Sequence, residues 1–152
     1  MNLDVFGDSF ARVLVFGHAV ASIVLAGATG HLGWLALARL RGKDVPSPRV
    51  LRHLRAIGWC VGAAVLLGLL AYPHYRVQVR GLILDRDFPW ASNLFELKEH
   101  AAALALPNWV AAFAVEGGPV SAKASAWLSL LLSVFILFAL AAGLIVTTVR
   151  GV

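Results

Sequence analysis

His18 and His100 are the side chains of this sequence best suited to chemistry. Each lies within a long apolar stretch, and an imidazole can ligate a metal or exchange a proton near neutral pH. His100 closes a charged block, Asn93-Leu94-Phe95-Glu96-Leu97-Lys98-Glu99-His100, that leads straight into the apolar run Ala101–Val115. Ionisable groups at membrane depth are costly and face a bundle interior or a watery cavity. Glu96 and His100 are one helical turn apart, with Glu99 beside them. With His18, these groups could hold Zn, Fe or Cu through mixed nitrogen and oxygen ligands. The same groups could instead relay protons.

The elements that must position them are membrane helices. The chain has 152 residues, 60% hydrophobic and 14% charged, with a mean hydropathy of +0.81. Soluble domains are nearer a quarter charged, so lipid must be the main solvent here. The length fits one domain, residues 1–152. Four spans are expected, at about 13–38, 56–72, 93–115 and 122–149, each near the 20 apolar residues that cross a bilayer. They form an all-α four-helix bundle. Between the second and third spans, Tyr75, Val79, Leu82 and Ile83 recur at helical spacing. A short amphipathic helix lying on the membrane is expected there.

Proline and capping residues set the expected boundaries. Tyr72-Pro73 is expected to end span two, and Asn93 with Glu96 to cap span three. Pro107 lies within span three, Glu116-Gly117-Gly118-Pro119 forms the last turn, and Arg150 ends span four. Ser121, Ser125, Ser129 and Ser133 recur every four residues and suit helix–helix contact. Gly58 and Gly62, four apart, are a weaker signal of the same kind.

Charge orients the chain. The net charge of +5 and pI of about 10.2 would suggest nucleic acid in a soluble protein. Here Arg39, Arg41, Lys43, Arg49, Arg52 and Arg55 crowd one loop against Asp44 alone. That is a topology signal, so this loop is expected on the cytoplasmic side of an inner membrane and both termini on the outer side. The N-terminus has no early cation, so the first span is expected to be retained rather than cleaved. Cys60 is the only cysteine, which rules out an internal disulfide. There is no nucleophile–base pair and no phosphate-binding loop.

Depth sorts the five histidines. At 1.5 Å per residue, His18 lies roughly 9 Å inside Arg12 and His100 roughly 10 Å inside Asn93. With His74 they form an outer group; His31 and His53 form an inner and weaker pair. Imidazoles at matched depth on facing helices are what a bis-histidine b-type haem requires. Arg76 and Arg80 could meet its propionates, and Ser22 and Thr29 share the helical face of His18. The acids Glu96 and Glu99 could also pair with Arg76 and Arg80.

In its four spans and the placement of His18, His74 and His100, the chain resembles the small four-helix membrane cytochromes of the cytochrome b561 and superoxide oxidase kind. The resemblance implies one or two b-type haems, with His18 and His100 as axial ligands and Arg76 and Arg80 on the propionates. It further implies electron transfer, or a quinol-linked oxidoreductase activity, with a quinone and a redox partner protein. The alternatives are a non-haem metal-binding protein, a proton conductor, or a structural subunit of a larger complex or homo-oligomer.

Overall fold

A computed structural model describes residues 8–118 and 121–149. Pro119 of the expected turn and the expected span end at Arg150 lie outside the described residues. The described chain is all-helical, with no strand. Helix α1 covers Asp8–Leu40, α2 Ser47–His74, α3 Pro89–Gly117 and α4 Ala122–Thr148. Three stretches are long and apolar enough to cross a membrane: Phe10–Leu40, Ser47–Asp87 and Ala122–Thr148.

The four helices form a ring. Helix α1 packs on α2 and α4, and α3 packs on α4 and over a shorter stretch on α2. The pairs α1/α3 and α2/α4 are diagonal. The side-chain arrangement suits lipid: Phe16, Ile23, Trp59 and Leu69 point outward. The interior instead holds many small residues, among them Ala26, Ala64, Ala105, Ala112, Ser129 and Ser133. Small interior residues let helices approach closely where no hydrophobic effect drives them together. The serine stripe does this directly. Ser133 donates across the interface to the Thr29 carbonyl at 2.7 Å, and it faces Gly33, where a Cβ would lie 2.9 Å from its Oγ.

Three boundaries differ from those expected. The second helix begins at Ser47, not near residue 56, so Arg49, Arg52 and Arg55 ride on its first turns. The interhelical link is correspondingly short. Gly42, at φ +80°, ends α1 in a left-handed turn closed by bonds from Gly42 and Lys43 back to Arg39 and Ala38.

Nor does the helix stop at Pro73. It runs on as a π-helix over Tyr75–Leu84 and a last α turn, Asp85–Asp87. Proline removes an N–H and crowds the carbonyl four residues back. Here the helix widens after Pro73 instead of ending. The stretch expected to lie on the membrane as a separate helix is this continuation.

The third helix starts at Pro89, four residues before Asn93. Pro89 occupies the first turn, where its fixed φ and missing N–H are no handicap. Asn93 and Glu96 are thus already inside the helix, and the expected capping box does not form.

Candidate functional site

Between α1, α2 and α3, His18 is held in one orientation. Its Nδ1 lies 2.8 Å from the carbonyl oxygen of Ala64 on α2. A carbonyl only accepts, so Nδ1 carries the hydrogen, and in the neutral ring Nε2 keeps a free lone pair. Gly68, one turn along α2, makes the space: a Cβ there would stand 3.1 Å from the ring's Cε1 and 3.2 Å from Nδ1.

Across the interior from α1, helix α3 supplies Lys98. Its stem lies 3.8 Å from the position of a Cβ on Gly143 of α4. Its ammonium sits 4.5 Å from the centroid of the Phe95 ring, a cation–π distance. Lys98 is within Coulombic reach of both His18 and Glu99. The ammonium on α3 is thus in electrostatic range of the imidazole on α1, although these diagonal helices do not pack directly.

The polar groups continue outward. Tyr75 stacks on Phe95 with centroids 4.4 Å apart. Its hydroxyl is buried without a hydrogen-bond partner, and Glu99 and Arg80 are in electrostatic range. Arg80 pairs with Glu96 and lies 3.5 Å from Asp85, which accepts from the Ser92 hydroxyl. Ionisable groups therefore run from His18 through Lys98, Glu99 and Tyr75 to Arg80, Asp85 and Glu96 at the helix ends.

The other expected site residues are spread out. His100 is exposed, its Nδ1 bonded to the Glu96 carbonyl of its own helix at 2.7 Å. Two residues from Lys98, it points about 200° around α3 from that inward side chain. His74 is half-buried where α2 widens, and Ser22 is half-buried on α1. Arg76 is exposed and donates to the Tyr72 hydroxyl at 3.1 Å. Of the expected acid–arginine pairs, Arg80 with Glu96 is present. Among the described residues no group of three or more His, Cys, Asp or Glu could hold a metal, so His18, His100, Glu96 and Glu99 do not converge as a metal centre.

Two further features stand at the other end of the bundle. The inner histidines meet: His53 Nε2 lies 2.9 Å from His31 Nδ1, with the rings edge-on. At the same end, Arg39 of α1 grips Glu116 of α3 through two bonds of 2.6 and 2.9 Å. Arg39 also donates to the Val45 carbonyl and to Ser47, and Ser125 of α4 donates to Glu116. One buried ion pair thereby ties the ends of all four helices.

Burial alone would raise the Glu116 carboxyl, but hydrogen bonds from Arg39, Ser125 and Ser47 outweigh it and hold it below its ordinary 4.5. A carboxyl depressed in the folded state stabilises the fold above its unfolded value. That contribution fades as pH falls below 4.5 and through the folded value. In detergent, the melting temperature should drop across this range, and the drop should shrink in Glu116→Gln. Equal pH profiles for the two proteins would contradict the assignment.

No family model, curated protein or solved structure matches the chain.

Proposed function

We propose that this is a four-span inner-membrane protein that moves protons between its outer end and His18. The observation that carries this reading is the buried His18–Ala64 bond with Lys98 of the diagonal helix in electrostatic range. At 29 residues, α3 is about 43 Å long, enough to cross a bilayer. Its charge Lys98 is compatible with a fourth crossing because its stem packs toward α4 and its ammonium lies over Phe95. The basic end, with Arg41, Lys43, Arg49 and Arg52, then faces the cytoplasm, and both termini the outer side.

In this mechanism His18 Nε2 takes the proton, while the Ala64 carbonyl holds Nδ1–H and fixes the ring. Lys98 sets the local field and hands protons to or from Glu99. The Tyr75 hydroxyl offers the next donor toward the surface. In micelles, proton exchange at His18 Nε2, read by ¹⁵N magnetic resonance of ring-labelled histidine, should slow by about 10²-fold in Lys98→Met and in Glu99→Gln, as expected for loss of a positioned acid–base group. Equal exchange rates in wild type and variants would refute the proposal.

A second reading is favoured by the His18 tautomer. An imidazole that donates one N–H to a backbone carbonyl and keeps the other nitrogen free is disposed as metal-ligating histidines are. His18 would therefore serve as one ligand of a b-type haem, which would supply one-electron chemistry toward a quinone or a redox partner protein. His100, exposed and bonded to its own helix, would not be the second. A reduced-minus-oxidised spectrum with a sharp b-type α band that His18→Ala abolishes would support it; a flat spectrum would reject it.

A further inference from the structure

The pair His31 and His53 lies at the opposite end of the bundle from His18 and plays no part in the proton path. The two rings come from different helices, α1 and α2, and touch nitrogen to nitrogen at 2.9 Å. His53 Nδ1 is 2.8 Å from the Arg49 carbonyl, so it must be the protonated nitrogen of a neutral His53. Its Nε2 then offers a lone pair, and the proton between the rings belongs to His31 Nδ1.

We propose that this pair is a copper site, with His53 Nε2 and His31 Nδ1 as ligands and water or an anion completing the coordination. Imidazole–metal bonds of about 2.0–2.1 Å at a right angle place two nitrogens about 2.9 Å apart. The pair already has that separation. A tetrahedral metal would need about 3.4 Å between the same atoms. The present 2.9 Å is that of an N–H···N hydrogen bond, so the preference for Cu(II) over zinc rests on copper's higher intrinsic affinity for imidazole. On binding, each ring turns by about 45° so that both lone pairs leave the N–N line and aim at the metal, and the His31 Nδ1 proton leaves to solvent. The Arg49 carbonyl keeps the far nitrogen of His53 protonated and the ring oriented, the usual outer-shell role.

Access and charge also bear on the choice of metal. Helix α1 has 33 residues, about 50 Å against a hydrocarbon core of about 30 Å. His31 is nine residues from its end, so it lies near the core boundary rather than at the midplane, and it is exposed. Arg49 and Arg52 on the first turns of α2 disfavour a bare dication. Only a metal with high intrinsic imidazole affinity overcomes this, and copper heads that order.

The test uses the full-length protein in detergent micelles, titrated with Cu²⁺ and separately with Zn²⁺. One Cu²⁺ should bind per chain, with the electron paramagnetic resonance splitting of two equatorial nitrogens, and Zn²⁺ should bind at least about tenfold more weakly. His31→Gln and His53→Asn, both at accessible positions, should each lower copper affinity at least about tenfold and leave at most one nitrogen in the spectrum. His100→Ala should leave both unchanged. The proposal is overturned if wild type binds no copper, if either inner variant binds as wild type does, or if His100→Ala loses as much.

Discussion

Glu116→Ala is expected to destabilise the protein by roughly 3–5 kcal/mol, the cost of leaving a buried charge without its partner. The Glu116 and Arg39 side chains are 2% and 6% exposed, so neither can recover its lost bonds from solvent. Arg39→Ala should cost a similar amount and also frees the Val45 carbonyl. The double variant Arg39→Met/Glu116→Leu should be more stable than either alanine variant, because apolar residues of similar volume avoid the desolvation penalty. Unfolding of the purified protein in mixed micelles checks this. A double variant as unstable as the sum of the two singles would show that the pair is not a coupled unit.

Gly58→Ala is expected to cost about 1–3 kcal/mol through overpacking. The edge of the Trp109 indole lies where the new Cβ would go, with Cε2 at 3.0 Å and Cη2 at 3.1 Å. A flexible side chain could yield, but this ring is pinned by its Nε1–H bond to the Leu54 carbonyl at 2.7 Å. The contact locks α3 onto α2, the pair of neighbours in the ring that meets over the shortest stretch. Trp109→Ala alone should cost about 3–5 kcal/mol. Combining the two should cost less than their sum, since the methyl then enters vacated space. Strict additivity in the same unfolding assay would contradict this packing.

Which parts of this architecture could be read from the residues alone follows from the physics of each signal. Long apolar runs mark helices by length, so the four helices were legible, and three of these runs are apolar enough to cross a membrane. The start of α2 was not, because arginines at 49, 52 and 55 look like a loop. Yet its buried seam Val50, Leu54, Ile57, Val61 and Ala64 keeps helical spacing from within that basic stretch. Pro73 and Asn93 misled for the opposite reason. Each is a local boundary signal, and each was overridden by a helix already formed on its N-terminal side.

The site shows the same contrast. His18 was legible as a polar residue deep in an apolar run. Matching depths alone suggested His100 as its counterpart, but depth says nothing about which way a helix faces. The buried seam of α3 is Ala91, Phe95, Ala101, Ala105, Asn108, Ala112 and Glu116. Lys98 falls on that seam by spacing and His100 does not. Depth alone grouped His31 with His53, but the Arg39–Glu116 clamp was not legible, because it depends on how helices distant in sequence meet.

The central claim is that His18 keeps a free Nε2 within electrostatic range of Lys98, and the ¹⁵N magnetic resonance of ring-labelled histidine tests it most directly. In lipid at neutral pH, several imidazoles should show a protonated Nδ1 and a bare Nε2, and one of these signals should vanish in His18→Ala. In Lys98→Met the same signal should persist but move, because the nearby charge is gone. A His18 protonated at Nε2, or a signal indifferent to Lys98→Met, would contradict the account.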